Sequence, residues 1–289
     1  EHDRDPHTPA LIAARLRDEG YSAIAQALAH SLRKLHGADS LEPDYAFLQA
    51  QQANLEKDTL ERLKQRGDPA RLLELLPRIK RAELAKAAAQ VLLTRTPLPV
   101  DAAVAHLGSV HPSVATIAAE IVGRAGPAAA KAHGKQLAAV LKAAREAWLA
   151  EYARLSEGKP SRIDEQEPAY RSALWAAGRL DVASDELVAA LTLADGTAFP
   201  ARARALRRQA GQSLAAGAGG KPGLEALKAV LKDSHDAELR SVAAAGLAAL
   251  DPKGAAKLVP LVLDDGPSLA RLVGPDAGPA LRPAAGDSH

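Results

Sequence analysis

Small and branched apolar residues recur along this chain at the spacing of one side of an α-helix. In an early segment, for example, one helical face collects four of them: Ile24, Ala27, Leu28 and Leu32. Nowhere do apolar and polar residues alternate, with the β-branched side chains that are typical of strands. The pattern therefore predicts an all-α protein.

The ends of the predicted helices are marked by proline and glycine. Proline or Asp-Pro opens many of them and glycine closes them, because proline is favoured in the first turn of a helix and glycine at its C-terminal cap. The pattern predicts helices over residues 9–20, 22–35, 70–79, 82–93, 100–107, 112–124, 128–156, 170–180, 185–193, 200–216, 224–231, 237–250, 255–263 and 268–273. Residues 43–67 form a longer, more polar segment with a thinner apolar stripe.

Two of these segments are related by an internal repeat. Residues 111–127 are echoed by residues 236–254, and five apolar positions of the first align with five of the second: Val114, Ile117, Ala118, Ala119 and Val122 with Leu239, Val242, Ala243, Ala244 and Leu247. After a shift of one residue, Gly178 to Asp181 aligns with Gly123 to Gly126. First helices of pairs are predicted to open near Pro112, Pro168, Pro200 and Asp236. Such a period of about 30–50 residues indicates stacked helix pairs.

The second copy of the repeat carries the residues of a known motif. An Asp, a Leu-Arg pair and an Ala-rich helix ending in Leu-Asp follow one another: Asp236, Leu239, Arg240, Ala243, Ala244, Leu247, Leu250 and Asp251. In these residues the chain resembles the HEAT repeats of armadillo-type proteins, in the short bacterial form also found in phycobilisome lyase-like proteins. In the first copy, Ala115 replaces the expected Arg. The resemblance covers residues 68–273, while residues 1–67 are a helical capping region that matches poorly and residues 274–289 are a Gly/Pro-rich tail.

The resemblance implies a right-handed α-solenoid of HEAT-like helix pairs, in which each pair buries its apolar stripe against its neighbours. It also implies a concave surface, formed mainly by the second helices, that holds a partner. Composition agrees, because aromatic residues make up only 3% of 289 residues and thin helical layers pack on Ala, Leu and Val. We expect Trp148 and Trp175, which lie on apolar faces, to be core residues.

Catalytic signatures are missing from the sequence. Without cysteine there are no disulfides or thiolate metal sites, and the histidine pairs His30/His36 and His106/His111 lack the spacing of metal ligands on a helix. The Gly-rich stretch 217–223 lacks the Ser or Thr after lysine of a phosphate-binding loop, so we interpret it as a flexible loop. The sequence predicts a protein that is not an enzyme and has no cofactor, metal or small-molecule site.

Two groups of basic residues are the candidate binding sites. Residues 199–217 contain no acid, and their predicted helix presents a basic edge beside its apolar stripe: Arg204, Arg207 and Arg208. A second basic row runs along the predicted helix 128–156: Lys131, Lys135, Lys142 and Arg145. Either group would suit phosphates or an acidic peptide. Long basic side chains on Ala-rich helices also occur simply as solvated faces.

The leading hypothesis is a non-enzymatic scaffold that binds a partner protein, or another part of a larger polypeptide, on its concave face. The alternative is a nucleic-acid-binding protein that uses a basic helix edge; a role beside a tetrapyrrole-bearing protein follows from the resemblance alone. The longest apolar run, Leu258 to Leu263, is too short to span a membrane. A start without Met fits a processed secretory leader, a removed tag or a fragment of a longer polypeptide. We expect a cytoplasmic location, with a processed exported protein as the alternative.

Overall fold

The computed structural model describes residues 8–18, 22–37, 39–50, 59–79, 81–109, 111–193, 199–217 and 219–273. Within these ranges the chain forms helices and turns and no strand, which confirms the all-α prediction. The helices are α1 Thr8–Asp18, α2 Ser22–His36, α3 Glu42–Ala50, α4 Thr59–Arg66, α5 Pro69–Leu75, α6 Ala82–Leu93, α7 Val100–His106, α8 Pro112–Arg124, α9 Pro127–Ser156, α10 Ile163–Leu180, α11 Ser184–Leu191, α12 Pro200–Ala215, α13 Gly220–Asp233, α14 Ala237–Leu250, α15 Pro252–Ala256 and α16 Gly266–Val273, with 3₁₀ turns at Leu76–Arg78 and Val259–Val262.

Several helix boundaries differ from the prediction. Helix α10 begins at Ile163 and contains Pro168, which we expected to open it. The start is set upstream, where the Ser161 hydroxyl accepts from the Ile163 amide at 3.2 Å. Pro168 lies inside the helix and has no amide hydrogen to donate to the carbonyl four residues before it. The predicted helix 255–263 is divided into α15 and a 3₁₀ turn.

The glycine-rich stretch is also more ordered than predicted. Gly220 to Gly223 form the first turn of α13, so only the residues before them connect the helices. Gly217 and Gly219 have φ of 112° and 96°, conformations that glycine adopts without strain. In the polar segment, α3 and α4 are described and residues 51–58 lie outside the described residues, as does the predicted tail from residue 274.

The structure divides into two compact units, Glu1–Ile121 and Val122–His289. In the first unit, α1, α2 and α3 pack against one another around a shared apolar cluster: Leu16, Ala25, Ala29, Leu32, Ala46 and Phe47. Helix α4 packs on α6, and α5 packs on α7.

A buried carboxylate links three helices of the first unit. Asp44 on α3 has no exposed surface. Its Oδ1 accepts hydrogen bonds from Nη2 and Nε of Arg62 on α4, at 2.5 and 3.1 Å, and from Arg33 on α2 at 3.4 Å. Nearby, Arg71 lies over the Tyr45 ring at 3.9 Å and binds both carboxylate oxygens of Glu42, at 2.6 and 2.9 Å. These charges hold the ends of short helices together.

In the second unit the helices contact one another in two series. Helix α10 packs on α12, α12 on α14 and α14 on α16; α9 packs on α11 and α11 on α13. Neighbours in sequence join the two series, as α9 with α10, α11 with α12 and α13 with α14. Trp148 of α9 is 1% exposed and stacks on Tyr152 at 4.8 Å, which confirms its predicted core position.

The repeat seen in the sequence has the same burial pattern in both copies. At the five aligned positions, the second residue of each copy, Ile117 or Val242, is half-buried and the other four are buried. The segment Gly178 to Asp181, which aligns with Gly123 to Gly126, ends in the same backbone conformation. Its last residue, Asp181, has a positive φ of 53°, and the aligned Gly126 has a φ of 82°. Repeated sequence therefore predicts repeated burial correctly.

Helix contacts in the second unit depend on small residues. A Cβ at Gly178 of α10 would lie 2.5 Å from the Cβ of Ser213 on α12, and one at Gly246 of α14 would lie 2.5 Å from the Cβ of Ala215 on α12. Trp175, which we expected in the core, is half-buried and lies against Gly123. Because a side chain at these positions would overlap the neighbouring helix, glycine sets how closely the helices approach.

Candidate interaction cleft

A cleft of about 840 Å³ opens where four helices of the second unit meet. The ends of α11 and α13 form its walls, and α12 and the start of α14 complete it. Its apolar lining consists mainly of small and branched side chains: Val188, Leu191, Ala226, Ala229, Val230 and Leu239. A lining of this kind, with polar groups at the rim, is typical of binding sites.

The arginine group predicted from the sequence lines this cleft. Helix α12 buries Ala203, Leu206 and Ala210, and at about 100° per residue this directs the neighbouring arginines to one edge. Arg204, Arg207 and Arg208 all reach the cleft. Arg207 also donates to the carbonyl of Leu193 at 2.9 Å, so part of its guanidinium holds the end of α11.

Carboxylates at the start of α14 neutralise Arg208. Arg208 donates from Nε and Nη2 to the two oxygens of Asp236, both at 3.0 Å, and Nη1 pairs with Glu238. Asp236 also accepts from the Leu239 amide at 3.1 Å, which caps α14. Burial raises the pKa of Asp236, but the bonds from Arg208 and the Leu239 amide outweigh burial, so its pKa lies below its usual value.

Arg202, in the same acid-free segment, is paired as well. It donates to Asp164 at 2.6 Å and to Glu167 at 3.0 Å, both on α10. The segment itself contains no acid, but neighbouring helices place acids beside its arginines. Reading one helix alone misses these acids, because they belong to other helices.

Charges of both signs therefore surround an apolar floor. Among the described lining residues, three arginines face Asp233, Asp236 and Glu238, together with Ser234 and His235. A phosphate backbone would meet repulsion from these acids, whereas a polypeptide segment offers apolar, acidic and basic groups together. The cleft is thus suited chemically to a protein ligand.

The second predicted group, on α9, does not line the cleft. Lys131, Lys135 and Lys142 are exposed, while Arg145 is half-buried and donates to Glu186 of α11 at 3.0 Å. The structure therefore separates the four residues into a paired arginine and three exposed lysines.

The described residues show no group of three or more His, Cys, Asp and Glu that would hold a metal ion. His106, one of the histidines considered above, instead makes a 2.9 Å contact from Nδ1 to the Ala102 carbonyl of its own helix. None of the described helices is both long and apolar enough for a membrane span. Comparisons with protein-family models, curated proteins and solved structures found no match for this chain.

Proposed function

We propose that this chain is a non-enzymatic helical-repeat scaffold that binds a segment of a partner protein, or of its own longer polypeptide, in the cleft between α11 and α13. In this proposal the second unit is part of a right-handed α-solenoid of HEAT-like pairs. The second helices α9, α11 and α13 form its concave face.

The packing of the second unit supports the solenoid part of the proposal. Helices α9, α10, α11, α12 and α14 each contact the helix two places further along, which is how stacked helix pairs bury their apolar stripes. The equal burial of the two aligned repeats, for example of Ala118 and Ala243, supports equivalent places in such a stack.

The observation that carries the proposal is the cleft itself. Its apolar floor is large enough for anchoring side chains, which contribute most of the affinity of protein interfaces. Its rim has arginines and carboxylates, which orient a polypeptide through complementary charges. The apolar lining comes largely from α11 and α13, two helices of the proposed concave face, while the arginines of the rim come from α12.

Blocking the cleft without disturbing the core tests the proposal. Ala229 on α13 is exposed and lines the cleft, so Ala229→Trp places a bulky side chain in it. Ala249 on α14 is exposed outside the cleft, and Ala249→Trp is the matched control. Proteins retained from the source cells by each variant are compared by quantitative mass spectrometry, after circular dichroism has verified equal folding.

We expect at least one protein that the wild type and Ala249→Trp retain equally and that Ala229→Trp loses about tenfold, the loss of one anchoring contact. If every retained protein binds Ala229→Trp as well as the control, the cleft is not the site. Duplex DNA at 50 mM salt is the parallel probe for the alternative function. Tight, salt-sensitive binding of DNA would favour the nucleic-acid hypothesis instead.

A further inference from the structure

Helix α9 has one side that the rest of the second unit leaves uncovered. Its 30 residues extend from Pro127 to Ser156, a length of about 45 Å. Leu137, Leu141 and Trp148 face inward and are at most 1% exposed. The exposed side therefore has room for a ligand several turns long.

Three lysines and a leucine form a straight row on the exposed side. Lys131, Lys135, Lys142 and Leu149 follow one another at intervals of four, seven and seven residues. At about 100° per residue they fall within a sector about 40° wide. The lysines are exposed, and Leu149 keeps 40% of its surface exposed, as a large apolar residue beside a basic row.

The lysines do not contribute to the packing of their own helix. No acid occurs in residues 127–145, and the exposed Glu146 follows Lys142 by four residues; no carboxylate of the described residues pairs with Lys131, Lys135 or Lys142. Arg145, by contrast, has Glu186 as its partner, so the unit supplies an acid to the one residue of the group that packs inward.

The surface beside the row is mostly small and apolar, with the exposed Glu146 among its residues. Ala128, Ala132, Ala139 and Ala143 are exposed there, and small side chains let the backbone of a second helix approach closely. Burying Leu149 and these alanines against apolar side chains would stabilise a complex, whereas contact with phosphates would not. The row thus combines charges that attract acids with a surface that an apolar partner could cover.

We propose that the exposed side of α9 docks an acidic amphipathic helix of a partner protein. Carboxylates at intervals of four and seven residues on that helix pair with Lys131, Lys135 and Lys142, and an apolar side chain seven residues further covers Leu149. This surface is separate from the cleft between α11 and α13 and uses none of its residues, so either site can fail while the other stands.

A synthetic helical peptide tests the proposal directly. The probe is an Ala-rich, fluorescently labelled helix with Glu at these intervals and Leu at the last position, and its control has Gln in place of each Glu. Binding to the full chain is measured by fluorescence anisotropy at 50 mM and 0.3 M salt. The protein variants are Lys135→Gln with Lys142→Gln, Leu149→Ala, and Lys232→Gln as a control at an exposed lysine of α13 outside the cleft.

We expect the Glu peptide to bind, the Gln peptide to bind about tenfold more weakly, and salt to weaken the Glu peptide. The double lysine variant should lose about fivefold and Leu149→Ala about tenfold, with Lys232→Gln unchanged. Equal binding of the two peptides, or no binding at 50 mM salt, overturns the proposal. So does duplex DNA that binds more tightly than the Glu peptide and is insensitive to Leu149→Ala. The cleft variant Ala229→Trp should bind the peptide normally, which separates this test from that of the proposed function.

Discussion

Replacing Gly178 with alanine tests whether close helix approach determines the packing of the second unit. The added Cβ would lie 2.5 Å from the Cβ and 2.7 Å from the Cα of Ser213. Backbone atoms cannot rotate away as the end of a long side chain can. Helices α10 and α12 therefore have to separate by about 1 Å to reach ordinary contact distances.

Two opposing effects set the size of the change. Alanine in a helix interior is more favourable than glycine by about 1 kcal/mol. Overpacking of a well-packed contact costs about 1–3 kcal/mol, and the position of Gly178 against backbone favours the upper end. We therefore expect a net loss of about 2 kcal/mol in the free energy of unfolding, or about 4–8 °C in Tm.

Urea unfolding followed by circular dichroism measures this loss, with Gly266→Ala as the control. Gly266 begins α16, and a Cβ there meets nothing within 4 Å, so its variant should equal or slightly exceed the wild type. Ser213→Gly removes the opposing Cβ, together with the hydroxyl that donates to the Leu174 carbonyl at 2.9 Å. The double variant Gly178→Ala, Ser213→Gly should lose less than the sum of the two single losses. A Gly178→Ala protein as stable as the wild type would refute this account of the packing.

Two predictions concern charges of the first unit. Asp44→Asn leaves Arg33 and Arg62 without the buried carboxylate they share, and we expect urea unfolding to show a loss of about 3 kcal/mol; a loss within measurement error would show that this ion cluster does not stabilise the fold. The pKa of Glu42 lies below its usual value of 4.5, chiefly because Arg71 donates to its carboxylate. This contribution to stability is present above pH 4.5 and lost as the pH falls through the lower, folded-state value. Glu42→Gln should therefore be less stable than the wild type at pH 7 in thermal unfolding, with a deficit that shrinks as the pH falls below 4.5, and a deficit that does not change with pH would contradict the assignment.

The arginines of α12 show how far the sequence could predict the candidate site. Their shared edge followed from helical geometry alone, and the structure places Arg204, Arg207 and Arg208 at one cleft. Their electrostatic environment did not follow, because Asp236 and Glu238 lie 28 and 30 residues further along the chain from Arg208. The pattern of one helix indicates which side faces inward but not which helix it faces.

The sequence by itself determined the all-α class, many helix positions and the buried positions of the repeat. Helical periodicity, prolines such as Pro112 and Pro200, and caps such as Asp236 act within a few residues, so they can be recognised in a single chain. Only the tertiary structure decided the contact of Gly178 with Ser213, the pairing of Arg208 and the cleft itself. These depend on which helix surfaces meet, and that results from the packing of many side chains at once.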